Sequence, residues 1–282
     1  MNTINSIAVI GSGTMGAGIA QVCAQHGLSV FLFDINEEAL VKAKAGIEKN
    51  YAGAVEKGKM TQTETLQALQ KIKFTTVFED LKAGLCIEAI VEKLEVKREL
   101  LVRLAAQNNE QCILASNTSS IPITQIASGI PHPERVVGIH FFNPVHIMKL
   151  VEIIAGVETT DDIMNLAKAF VLKLSKTPVI AKDAPGFIVN RVARHYYVEA
   201  LKILEENITS LEHIDALMEA TGFRMGPFRL MDLIGVDTNF SVTSSLYEQF
   251  FYDSKFRPSR LQKQKVDAGH WGKKSGKGFY GY

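Results

Sequence analysis

Cysteine is scarce in this 282-residue chain, and what there is lies far apart in sequence. Cys23, Cys86 and Cys112 make no C-x-x-C pair, and their odd number argues against a disulfide framework. Buried free thiols in a reducing compartment are the expectation. The seven histidines form no His-Glu-x-x-His and no close Cys/His cluster, so no metal site is expected. No apolar run approaches the roughly 20 residues of a membrane span. The start, Met1 to Asn5, leads into a strand with no signal-peptide pattern, and a cytoplasmic location is expected. Net charge is nearly absent, at +1, which removes any electrostatic reason to expect nucleic acid or an anionic membrane as partner. Internal repeats and low-complexity segments are missing as well.

What remains is an ordinary globular balance, 46% apolar and 22% charged, long enough for one large domain or two smaller ones. The first apolar run, Ile7 to Ile10, reads as a buried strand. It leads into Gly11-Ser12-Gly13-Thr14-Met15-Gly16 and then a helical pattern that ends at Gly27. A second strand, Ser29 to Phe33, stops at Asp34. This order suits a dinucleotide. Gly11 permits a tight turn, Gly13 lets backbone N–H groups approach a pyrophosphate, and Gly16 lets helix and strand pack closely. Asp34 can accept hydrogen bonds from the adenosine ribose. Its charge would repel a 2′-phosphate, and Ile35 to Glu38 offer no arginine, so NAD is expected over NADP.

Residues 37–72 read as two helices with a turn near Lys57 to Lys59, a long excursion between neighbouring strands. Lys42, Lys49 and Lys57 fall on one helical face, as either a solvated surface or a site for a ligand phosphate. Further strands are expected near Phe74 to Thr76, at Leu85 to Ile90 and at Cys112 to Ala115. Glu92 and Lys97 then fall near the end of one of them, and Ser116 to Ser120 at the end of the next. Those small polar residues suit either hydroxyl contacts to a ligand or a helix-capping turn. The alternation of strands and helices predicts a Rossmann-like, doubly wound, mostly parallel sheet. A break at Ala184-Pro185-Gly186 places a domain boundary near residue 185, giving domains 1–184 and 185–282. Beyond it the pattern is all helical: about 187–205, 211–220, 227–233 and 236–252, then a glycine-rich basic tail over 271–280.

Between the strand-like runs Val136 to Ile139 and Leu150 to Ile154 lies the stretch H-F-F-N-P-V-H-I-M-K-L-V-E-I, His140 to Ile153. A carboxylate in an apolar run, here Glu152, is costly to bury alone. Pro144 makes a bend that would let two hinged strands bring His140 to Glu152, a base held by an orienting acid. A core histidine, with Glu152 turned to solvent on an edge strand, is the other reading of the same residues.

Taken together, G-S-G-T-M-G, S-N-T-S-S, H-F-F-N-P-V, K-L-V-E-I, P-G-F-I-V-N-R, M-G-P-F and K-S-G-K-G-F-Y occur in the order seen in the L-3-hydroxyacyl-CoA dehydrogenases, which this chain resembles over nearly its whole length. The resemblance implies an NAD-dependent oxidoreductase of fatty acid or butanoate metabolism. In it His140 is the acid/base and Glu152 its carboxylate partner, and Ser119 and Asn190 meet the substrate. It implies Asp34, Glu92, Lys97, Ser119 and Asn143 around NAD. It also implies Lys49 and Lys57 on coenzyme A, and a homodimer formed through the helical domain. Two departures stand in the helical half: Arg194 to Tyr197, where the family has apolar residues and a proline, and Arg224 before M-G-P. Two rivals are a sugar-acid dehydrogenase of the gulonate type and a catalytically silent NAD-binding dimer.

Overall fold

β1 (Ser6–Ile10) is buried from Ile7 onward, which is why it reads as an unbroken apolar run. The same holds for β4 (Leu85–Glu88), β5 (Ile113–Ser116) and β6 (Val136–Phe141), buried at every position. With β2 (Ser29–Phe33), β3 (Ile72–Thr75), β7 (Leu150–Ala155) and β8 (Thr177–Lys182) they form one sheet in the order β3-β2-β1-β4-β5-β6-β7-β8. Neighbours from β3 through to β6 are parallel, β7 is antiparallel to β6, and β8 is parallel to β7. This computed structural model describes residues 4–282. The expectation for the first residues of the chain therefore falls partly outside the described residues.

Helices α1 (Thr14–Gln25), α2 (Glu37–Glu56), α3 (Gln62–Gln70), α4 (Leu94–Gln107), α5 (Ile123–Ala127) and α6 (Asp161–Lys173) connect the strands. The excursion after β2 has clear local causes. Asn36 caps α2 by accepting from the N–H groups of Glu38 and Ala39, and left-handed Gly58 (φ +64°) follows the helix. Thr61 and Glu64 then form a capping box that starts α3. The core runs from Ile7, Val9 and Ile19 through Leu32 and Ile87 to Ile139, Val151 and Phe170. Cys86 and Cys112, both buried, lie side by side as free thiols, Sγ to Sγ 3.7 Å.

The described residues divide into two compact units between Ala184 and Pro185. The second is helical: α7 (Val189–Glu205), α8 (Leu211–Ala220), α9 (Pro227–Ile234), α10 (Val236–Gln249) and α11 (Arg260–Asp267). Two helices are shorter than their periodicity predicts, for backbone reasons. Phe187 (φ +48°) delays α7, and Phe251 and Tyr252 (φ +53° and +64°) cannot continue α10. The tail, expected as a loop, is tied down. Asp232, 1% exposed, accepts from the N–H groups of Phe279 and Tyr280 at 2.9 Å each and from the Tyr282 hydroxyl at 3.1 Å. Asp232→Ala leaves the buried Phe279 N–H and the half-buried Tyr280 N–H without their acceptor. It is expected to destabilise the protein by about 2–4 kcal/mol, seen as a lowered Tm in thermal denaturation; an unchanged Tm would refute this anchoring role. Among the described residues no helix is long and apolar enough to cross a membrane, and no three His, Cys, Asp or Glu side chains gather as a metal site.

Candidate active site

Because β2, β1, β4, β5 and β6 run parallel, they all end on one edge of the sheet. That edge collects the Gly11–Gly16 turn, Asp34, Glu92, the Ser116–Ser120 loop and His140.

The turn is shaped for close approach. Gly11 is left-handed (φ +98°), and a Cβ there would lie 2.7 Å from the carbonyl oxygen of Ala89. At Gly16 a Cβ would fall 1.7 Å from the Gly11 carbonyl oxygen, so helix and turn touch backbone to backbone. Beside Gly13 a Cβ would meet nothing within 4 Å, and no side chain caps α1 there. An uncapped helix N-terminus opening on empty space is what a pyrophosphate requires, so these residues fit a dinucleotide. Thr14 and Met15 form the first turn of that helix.

Asp34 is locked to the turn. Its Oδ2 accepts from the Ser12 N–H and hydroxyl, each at 2.8 Å, and its Oδ1 accepts from the Asn36 N–H at 3.0 Å. Burial opposes its ionisation, but the bonds from Ser12 and Asn36 outweigh this and hold its pKa below the usual carboxylate value. The carboxylate therefore stays charged in neutral and mildly acid solution. We expect kcat/KM with NADH to exceed that with NADPH by about 100-fold, a preference that holds down to about pH 5 because the depressed pKa keeps the charge there. Equal use of the two cofactors would remove Asp34 from the discrimination.

A cavity of about 440 Å³ adjoins the turn, lined by Ser12, Gly13, Thr14, Gly18, Lys42, Asn50, Asn143 and His146 among others. Asn143 thus shares this cavity with the glycine turn. Lys42 is the lysine of the α2 face that lines this cavity; Lys49 and Lys57, the pair singled out from sequence, are exposed and do not line it. Partial burial lowers the pKa of His146, and the charges of Lys176, Lys57 and Lys59 lower it further. Lys176 anchors the segment that carries Asn143 and His146, donating to the carbonyl oxygens of Val145 at 2.6 Å and Met148 at 2.7 Å. Val145 in turn sits where Gly18 has no side chain, 2.9 Å from the position of a Cβ.

Glu92 organises the loop after β5. Its Oε1 accepts from the Thr118 hydroxyl at 2.6 Å, the Ser119 N–H at 2.9 Å and the Ser120 N–H at 3.1 Å. Below it Lys97, 1% exposed, donates to both oxygens of Glu88 at 2.9 Å and meets Glu92 Oε2 at 3.1 Å. An ammonium has three donors, and here all three are engaged. Lys97 therefore lies under the site and reaches any ligand through Glu92, a placement its position at the start of α4 did not reveal. Burial lowers its pKa, but Glu88 and Glu92 raise it further, so it remains charged. Glu92, although partly buried, is held below its usual value by Lys97 and the Thr118 and Ser119 bonds. Burial pushes Glu88 up despite Lys97 and the bond from the Ser116 hydroxyl.

His140 and Glu152 are direct partners across β6 and β7. His140 Nδ1 lies 2.8 Å from Glu152 Oε2, with the two residues 5% and 0% exposed. A carboxylate buried this deeply needs a donor, so the contact assigns a proton to Nδ1. The Phe142 ring packs against the imidazole at 4.5 Å between centroids. Asn117 joins the Ser116–Ser120 loop to β6 by accepting from the Phe141 N–H at 2.9 Å. Asn190 lies in the first turn of α7, in the second unit. Glu88 and Lys176 were missed from sequence, although Glu88 carries the same signal as Glu152, a lone carboxylate in an apolar strand.

Comparison with known proteins adds family likeness. Residues 6–184 match the model of the 3-hydroxyacyl-CoA dehydrogenase NAD binding domain, and residues 186–282 that of the 3-hydroxyacyl-CoA dehydrogenase C-terminal domain. The chain is 47% identical over 282 residues to a 3-hydroxyadipyl-CoA dehydrogenase of Escherichia coli K12, covering 99% of this chain and 59% of that longer protein. It is 43% identical to a probable 3-hydroxybutyryl-CoA dehydrogenase of Deinococcus radiodurans, covering 97% and 99% of the two. The solved structure of (S)-3-hydroxybutyryl-CoA dehydrogenase from Ralstonia eutropha superposes with a TM-score of 0.94 at 39% identity, covering 99% of each chain.

Proposed function

The chain belongs to the 3-hydroxyacyl-CoA dehydrogenase family, and from that premise we propose that it interconverts (S)-3-hydroxyacyl-CoA and 3-oxoacyl-CoA with NAD. The acyl part is short: the Deinococcus and Ralstonia relatives are named for a four-carbon chain and the E. coli relative for a six-carbon dicarboxylic one. We propose 3-hydroxybutyryl-CoA as the simplest substrate.

The observation that carries this reading is the 2.8 Å contact between His140 Nδ1 and Glu152, on the sheet edge that also bears the glycine turn. Oxidising a secondary alcohol removes a hydride from carbon and a proton from oxygen. NAD, when bound, supplies the hydride acceptor. His140 Nε2 takes the hydroxyl proton, and Glu152 stabilises the imidazolium as charge develops. In the reverse direction Nε2 returns the proton to the 3-oxo group. Gly11, Ser12, Gly13, Thr14, Met15, Gly16, Asp34 and Asn143 hold the dinucleotide. Glu92, kept in place by Lys97, fixes the loop from which Ser119 reaches cofactor and substrate. Asn190 meets the substrate near its thioester. Lys42, which lines the cavity beside the turn, joins Lys49 and Lys57 as a partner for coenzyme A phosphates. A homodimer through the helical unit and a cytoplasmic location complete the reading.

The test is NADH-dependent reduction of acetoacetyl-CoA, followed as loss of NADH absorbance. Turnover supports the reading, and the lack of it with pure, folded protein would overturn it.

A further inference from the structure

Helix α7 buries one stripe of side chains: Arg194, Tyr197, Val198, Ala200 and Leu201. Four of these are ordinary core residues. Arg194 is not. It is 3% exposed, and among the described residues no carboxylate acts on it; its guanidinium lies over the Tyr197 ring, 5.2 Å from the centroid. Its Nη1 donates to two neutral groups of α10, the Asn239 carbonyl oxygen at 3.0 Å and the Thr243 hydroxyl at 2.8 Å. Its Nε is buried without any hydrogen-bond partner. Burial lowers its pKa to about 10, so it is still a cation at neutral pH.

A buried arginine is ordinarily matched by an acid, and its fork is suited to a carboxylate. Here Nε is an unused donor, and among the described residues the charge meets an aromatic ring but no acid. Its position supplies the second clue. Asn190 and Arg194 are four residues apart on α7, hence neighbours on one helix face at about 5–6 Å. Asn190 is the residue placed above near the substrate's thioester. A chain that leaves the thioester and runs one helical turn along α7 would bring its far end to Arg194.

We infer that Arg194 is a specificity-determining residue, and that the substrates it selects are 3-hydroxyacyl-CoA thioesters whose acyl chain ends in a second carboxylate. The distal carboxylate is the missing counter-ion. It pairs with the guanidinium through the donors that α10 leaves open, while Nη1 keeps its bonds to Asn239 and Thr243. A chain ending in a methyl group offers nothing to this charge. This inference rests on the dehydrogenase reading and adds the acyl class to it.

Two measurements test it. On the unmodified protein, adipyl-CoA and hexanoyl-CoA, equal in length and differing in the terminal carboxylate, are compared as competitive inhibitors of acetoacetyl-CoA reduction. Adipyl-CoA is expected to inhibit at least about tenfold more tightly; equal inhibition overturns the inference. Next, the ratio of kcat/KM for 3-oxoadipyl-CoA to that for acetoacetyl-CoA is measured in the unmodified protein, Arg194→Met and Arg194→Lys. The ratio should fall about 100-fold in Arg194→Met and less in Arg194→Lys, which keeps the charge but not the fork. A ratio that does not move overturns the inference, including the case in which a partner subunit's acid neutralises Arg194, while leaving the dehydrogenase reading intact. Should Arg194→Met fail to fold, the inhibitor comparison and Arg194→Lys still decide. No turnover of either thioester by the unmodified protein defeats both readings at once.

Discussion

Replacing His140 with alanine is expected to lower kcat by about a thousandfold in either direction while leaving the Kd for NADH within about threefold. The imidazole is the proton acceptor in the proposed reaction, and the dinucleotide is held by other residues, the glycine turn and Asp34. A thousandfold loss corresponds to about 4 kcal/mol at 1.36 kcal/mol per decade, the scale expected when a positioned base is replaced by water. Steady-state kinetics give the first quantity and NADH fluorescence titration the second. A variant that retains a tenth of the rate would remove His140 from the chemistry. A variant that loses NADH binding as well would mean that the imidazole serves the cofactor site.

Glu152→Gln is expected to lower kcat by about 100- to 1,000-fold with the fold retained. The amide has nearly the same shape and still occupies the buried position beside Nδ1. What it lacks is the charge that stabilises the imidazolium, and its NH₂ group permits the opposite ring tautomer. Circular dichroism separates this from unfolding. Near-wild-type kcat would show that the acid only fills space, and a collapsed spectrum would show that its main role is to hold β6 against β7.

Much of the first unit is legible in the residues because its strands are buried on both faces and its turns are punctuated by glycine. Ile7 to Ile10, Leu85 to Glu88 and Val136 to Phe141 stand out as apolar runs, and Gly11, Gly27 and Gly58 mark where the chain must turn. The meeting of His140 with Glu152 is legible for a related reason. A proline between two apolar runs suggests that they are hinged, and an acid inside one of them requires a partner. Other features depend on contacts that no local pattern encodes. Lys97 looks like a surface residue at the start of a helix, yet lies beneath Glu92 because Glu88 at the end of β4 and Glu92 in the turn after it both close on its ammonium. The lysines of α2 define a face, but which one lines the cavity depends on how the helix is rotated against α1, and the outcome is Lys42. The tail reads as a loop because its order comes from Asp232, far away in sequence.

The reversal of direction between β6 and β7 has a further consequence. In this ladder the gap between imidazole and carboxylate is dictated by interstrand spacing, a constant of backbone geometry. The segment spanning 142–149 can therefore change its sequence, and with it what it touches, without altering the reach of the proton acceptor. Evolution is free to redraw the ligand-facing rim here while the acid–base couple stays rooted in the sheet.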